Sequence, residues 1–75
     1  MSDYQQYLEE KSRIDGLLSK GFSIRYITEN LSGAFLEFKK EAQDGSFETD
    51  TVHIQTADGR KYFSVKYIEQ QASLQ

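Results

Sequence analysis

Seventy-five residues with a formal net charge of −3 make one domain, whose core lies near the lower limit for independent stability. The absence of Cys excludes disulfides and thiolate metal sites, and the acidic balance argues against the basic footprint of a non-specific nucleic-acid binder. No apolar run is long enough for a membrane span or a signal peptide, so a cytoplasmic protein without membrane association is expected.

Residues 3–20 read as one amphipathic helix. Ser2 and Asp3 are competent N-caps, with Gln5 or Gln6 placed to complete a capping box. Tyr4, Tyr7, Leu8, Ile14, Leu17 and Leu18 recur at helical spacing, and Glu9, Glu10, Lys11, Ser12 and Arg13 supply the solvated side. Gly16 marks a bend or a close approach to the sheet, and Gly21 ends the helix from the C′ position.

Four alternating runs follow, each with the period of a strand. Phe22, Ile24 and Tyr26 alternate with Ser23, Arg25 and Ile27, and Ala34, Leu36 and Phe38 alternate with Phe35, Glu37 and Lys39. Val52 and Ile54 alternate with Thr51, His53 and Gln55, and Phe63, Val65 and Tyr67 alternate with Tyr62, Ser64, Lys66 and Ile68. Keeping one apolar face sets the registers. Around Asn30 and Gly33, Tyr26 opposes Ala34 and Ile24 opposes Leu36. A three-residue loop at Asp44-Gly45-Ser46, with Gly45 at positive φ, opposes Phe38 to Val52 and Leu36 to Ile54. Ala57-Asp58-Gly59 reads as a tight type I′ hairpin that sets Ile54 against Phe63 and Val52 against Val65. The expected fold is α+β, an N-terminal helix packed on one face of a four-stranded antiparallel meander (α-β-β-β-β). It spans residues 1–69, with 70–75 as a flexible tail. A small Sm-like or SH3-like barrel is the alternative.

Catalytic patterns are missing. Glycine-rich phosphate loops, metal-spaced His/Cys clusters and nucleophile elbows do not occur, and the single His53 falls on the outer side of a strand. Neither enzymatic activity, nor a cofactor, nor a metal is expected. The outer sheet face is more informative. The derived registers bring Arg25, Phe35, Gln55 and Tyr62 into one row, with His53 in the next and Ile27 and Ile68 near the ends. A sheet covered on one side should be polar on the other. Here an Arg and a Tyr flank an exposed Phe, the composition of a protein-interface anchor. The candidate protein-binding residues are Arg25, Ile27, Phe35, His53, Gln55 and Tyr62, with Phe35 as the buried anchor.

The stretch Ser19-Lys20-Gly21-Phe22-Ser23-Ile24-Arg25-Tyr26-Ile27, followed by Gly33-Ala34-Phe35-Leu36-Glu37-Phe38, resembles the helix-plus-hairpin of the small epsilon subunit of Firmicute RNA polymerase. That resemblance implies a non-catalytic protein bound to RNA polymerase.

The sequence therefore points to a small adaptor or inhibitor docking on a larger protein through its exposed sheet face. The alternative is RNA or single-stranded nucleic-acid binding through the sheet aromatics. A homo-oligomer that buries Phe35 and Tyr62 against themselves is a third expectation.

Overall fold

The computed structural model describes residues 2–73. Its elements run α1 (Asp3–Ser19), β1 (Ser23–Asn30), β2 (Gly33–Glu41), β3 (Phe47–Ile54) and α2 (Ala57–Ser73). The architecture is α+β, as expected, but its order is α-β-β-β-α. A three-stranded antiparallel sheet replaces the four-stranded meander, and β2 is its central strand.

The ends of α1 follow from local chemistry. The Ser2 hydroxyl accepts the Gln5 N–H at 3.2 Å. At the other end Gly21 adopts φ +96°, and the Phe22 and Gly21 N–H groups return to the Leu17 and Leu18 carbonyls at 3.0 and 3.1 Å. This is a Schellman closure, which needs a residue tolerant of positive φ at C′. Gly16 has no neighbour within 4 Å of a Cβ position, so no close approach to the sheet explains it.

The apolar sides of the strands meet as the alternation demands. Ala34, Leu36 and Phe38 of β2 are fully buried, with Val52 and Ile54 of β3 and Ile24 of β1 beside them. Ile14 and Leu17 of α1 and Phe63 of α2 close the core from the helix layer. The registers differ from expectation in two ways. Leu36 opposes Val52 and Ala34 opposes Ile54, two residues from the expected pairing. A shift of two keeps every side chain on its own face, so the burial pattern survives. The β2–β3 connection is correspondingly longer. The Ala42 N–H donates to the Ser46 carbonyl, the Asp44 carboxylate accepts the Ser46 N–H at 2.9 Å, and Gly45 does take a positive φ of +89°.

The second difference has more consequence. A bulge at Arg25 interrupts β1, so that Ile24 opposes Phe38 but Tyr26 opposes Glu37 and Ile27 opposes Leu36. One extra residue reverses the alternation beyond it. Tyr26, expected in the core, turns to the open face. Ile27, expected on the open face, turns to the helix side.

The fourth strand is a helix. Thr56 caps it, its hydroxyl oxygen accepting the Gly59 N–H at 2.9 Å, and the Arg60 N–H donates to the Thr56 carbonyl. Ala57-Asp58-Gly59 is therefore a first helical turn with an acidic residue in it, not a hairpin. Gly59 and Phe63 are buried and Tyr62, Lys66, Tyr67 and Gln70 are partly buried, at helical spacing, whereas Val65 is exposed. The helix continues to Ser73, and the Gln70 side chain bonds the main chain of Ile24. Of the expected tail, Leu74 and Gln75 lie outside the described residues.

Both helices cover the same side of the sheet. α1 lies against β3 and α2, and Gln70 and Arg60 of α2 reach Ile24 and Glu29 of β1. Where the helices meet, the Tyr62 hydroxyl donates to the Asp15 carboxylate, which also accepts from Lys11 Nζ at 2.9 Å. Burial pushes the Asp15 carboxyl up, but the bonds from Tyr62 and Lys11 outweigh it and hold the carboxyl below its ordinary range. A depressed carboxyl adds stability above its unfolded-state value, and this is lost as pH falls through the folded-state value. Tyr62→Phe is accordingly expected to flatten the acid limb below about pH 4. Urea midpoints at pH 7 and pH 3 check this, and an unchanged difference between them would refute it.

Candidate binding surface

The open face of the sheet is built from the residues that alternate with the core. Thr28 and Tyr26 of β1 pair with Phe35 and Glu37 of β2, and these pair with His53 and Thr51 of β3. Directly paired residues share a face. Further along, Lys39 opposes Thr49 and Glu41 opposes Phe47. Tyr26 is 61% exposed and Phe47 is 59% exposed.

Phe35 and His53 stack, with ring centroids 4.2 Å apart and planes 6° from parallel. The His53 Nε2 lies 2.7 Å from the Ser32 carbonyl oxygen. A carbonyl only accepts, so Nε2 carries the proton and donates. This contact ties the imidazole to the β1–β2 turn and fixes the ring on which Phe35 rests. The turn itself requires Gly33. Its φ is +122°, and a Cβ there would stand 2.4 Å from the Ile54 carbonyl oxygen. At the other end of the face, Lys39 Nζ lies 4.5 Å from the centre of the Phe47 ring. The open face thus carries aromatics toward both ends, Tyr26, Phe35 and His53 on the side of the β1–β2 turn and Phe47 on the side of the β2–β3 connection, with Glu37 and Lys39 of the central strand between them.

The structure divides the six residues picked from sequence. Phe35 and His53 are on the open face and in contact. Arg25 is exposed at the bulge, on the edge strand. Ile27 faces the helix side because of that bulge and is 36% exposed. Gln55 lies past the end of β3, where its N–H donates to the Glu10 carboxylate at 2.8 Å. Tyr62 is on α2 and packs edge-on against Tyr7, with ring centroids 6.4 Å apart. It belongs to the helix layer because the segment that carries it is not a strand. Its place in the row is vacated, and Tyr26 and Phe47 take over the exposed aromatic area. Phe47 directly follows Asp44-Gly45-Ser46, where the alternation starts the strand only at Thr51, whereas β3 begins at Phe47 itself.

Glu10 is a buried polar group that sequence placed in solvent. It is 2% exposed. Its oxygens accept from the Gln55 N–H, from the Thr56 hydroxyl at 2.6 Å and from the Gln6 side chain at 3.2 Å. A buried carboxylate beside the start of α2 satisfies donors there and suits the positive end of the helix dipole. Its role is to join α1 to the β3–α2 connection.

Among the described residues, no group of three His, Cys, Asp or Glu side chains is arranged to hold a metal, and no helix is long and apolar enough to cross a membrane. No protein-family model, curated protein or solved structure matches the chain.

Proposed function

We propose that the chain is a small non-catalytic binding module that docks on a larger protein through the open sheet face. The observation that supports this reading is the presence of Tyr26, stacked Phe35 and His53, and Phe47 on the side that neither helix covers. Exposed large aromatics are the residue type that anchors a protein interface, where truncating one anchor removes a large share of the affinity. The charges of the central strand on this face are of mixed sign, with Glu37 and Glu41 beside Lys39, which favours a protein over the polyanionic backbone of a nucleic acid. The resemblance of residues 19–38 to the polymerase epsilon subunit makes purified bacterial RNA polymerase the first partner to assay.

The test compares the wild-type chain with Phe35→Asp, Phe47→Asp and a helix-layer control, Val65→Asp. A partner held by the wild type and the control should bind each sheet variant about thirtyfold or more weakly. Binding that survives both sheet substitutions, or that fails equally in the control, contradicts the assignment. Binding of a random oligonucleotide that weakens steeply with salt would instead support the nucleic-acid reading.

A further inference from the structure

The chain carries nine Lys and Arg side chains against twelve Asp and Glu. Lys11, Arg13, Arg60 and Lys66 stand in ion pairs. Among the described residues, Lys20, Arg25, Lys39, Lys40 and Lys61 do not. Lys61 is on α2, but the other four gather at one corner of the fold. The topology brings them there. β2 runs past Ser23, the first residue of β1, so Lys40 and Glu41 have no partner on that side. The turn at Gly21, which follows Lys20, borders the space left. A carbon on Gly21 would lie 3.6 Å from Lys40 Cε. A depression of about 190 Å³ opens here, lined in part by Gly21, Arg25, Lys39, Lys40, Glu41 and Phe47. Its lining thus holds three cations and one carboxylate. Lys39 Nζ stands over the Phe47 ring, and Lys40 Nζ lies 5.9 Å from the centre of the Phe22 ring. Aromatic faces hold the two ammonium groups in place without neutralising them.

Unpaired like charges repel, and an acidic chain has carboxylates enough to separate them. Their grouping suits an anionic partner, which relieves the repulsion as it binds. We infer that this corner receives an acidic segment of the docking partner, with carboxylates among Arg25, Lys39 and Lys40 and an adjoining apolar side chain against Phe47. The guanidinium offers paired donors to a carboxylate, and the lysines add point charges beside it. Lys39 and Phe47 belong to the open face as well, so the corner is continuous with that surface. In naming the docking partner as the source of the segment, the inference rests on the role proposed for the open face. A nucleic acid fits this corner less well. Glu41 lines the depression and Glu48 opposes Lys40 across β2 and β3. Those carboxylates repel a backbone charged at every step, whereas a peptide sets its few charges apart from them.

Nuclear magnetic resonance titration of the isotope-labelled full chain tests this with a short peptide of Glu and Leu at low salt. The controls are the same peptide with Gln in place of Glu and an oligothymidylate of equal charge. Amide resonances of Gly21, Ser23, Arg25, Lys39 and Phe47 should move with the Glu peptide, and those around Lys61 should not. Binding should fade as salt rises and be absent with the Gln peptide. Arg25→Gln and Lys39→Gln should each weaken it about fivefold. Lys61→Gln removes the same charge elsewhere and should leave it within about twofold. The spectra also verify that each variant is folded. No movement at about 1 mM peptide overturns the inference, as does equal loss in Lys61→Gln or equal binding of the Gln peptide. An oligothymidylate that binds the corner more tightly than the Glu peptide overturns the assignment to a protein segment. The outcome is separate from that for the open face, since a corner that binds the Glu peptide in this way stands even where partner docking ignores Phe35→Asp.

Discussion

Gly59→Ala is expected to destabilise the fold by about 2–3 kcal/mol, whereas Gly16→Ala should stabilise it by about 1 kcal/mol. Each change adds the same methyl group to a helix. At Gly16 nothing lies within 4 Å of the new carbon, so only the gain in helix propensity remains. At Gly59 the carbon would stand 2.2 Å from Glu10 Oε1, 2.8 Å from Thr56 Oγ1 and 2.9 Å from Ile54 Cγ2. All three neighbours are buried, and two of them belong to the hydrogen-bonded node that holds the start of α2. Urea unfolding followed by far-UV circular dichroism separates the two variants. Equal stabilities, or a Gly59→Ala protein as stable as the wild type, would refute the close approach of the helices at this point.

Glu10→Ala should have an effect of similar size, about 3 kcal/mol. It leaves the Gln55 N–H and the Thr56 hydroxyl facing a cavity where the acceptor oxygens were. For a domain of this length, with total stability on the order of 5 kcal/mol, a loss of that size populates the unfolded state measurably. The two substitutions should not add. Glu10 Oε1 is the nearest obstacle to a carbon on Gly59, so removing it relieves part of the overlap. The double variant is expected to be more stable than the sum of the single losses implies. Strict additivity in the same unfolding series would show that the two residues are not in contact.

Much of the first fifty-five residues is legible because the local signals agree with the tertiary ones. Ser2 and Gly21 bound α1 by capping chemistry, and Asn30, Gly33 and Gly45 mark turns that need positive φ or a side-chain acceptor. Ile14, Leu17, Ile24, Leu36, Phe38, Val52 and Ile54 occupy the core because alternation and helical spacing each place them there. The segment after Thr56 is not legible in that way. Tyr62-Phe63-Ser64-Val65-Lys66-Tyr67-Ile68 satisfies a two-residue period, and its helical stripe is disguised because Lys66 and Gln70 occupy inward positions. Asp-Gly serves both a hairpin and a first helical turn. Thr56, three residues before Gly59, is the discriminating signal, and the 17-residue length supports it.

The candidate surface was half legible for a related reason. Phe35 and His53 follow from β2 and β3, whose alternation is unbroken. Ile27 and Tyr26 exchange sides because the bulge at Arg25 involves no glycine and leaves no mark in composition. Tyr62 was misplaced along with its segment. Glu10 could not be distinguished from Glu9, because its burial comes from donors 45 and 46 residues away.

Hydroxyl-radical footprinting of the chain, free and bound to its captured partner, tests the docking surface most directly. Phe35, His53 and Phe47 should lose most of their labelling in the complex, while Tyr4 and Leu8 on α1 should label as before. Protection of Tyr4 and Leu8 with the three sheet residues unchanged would place the partner on the helix layer and contradict the proposed role of the sheet.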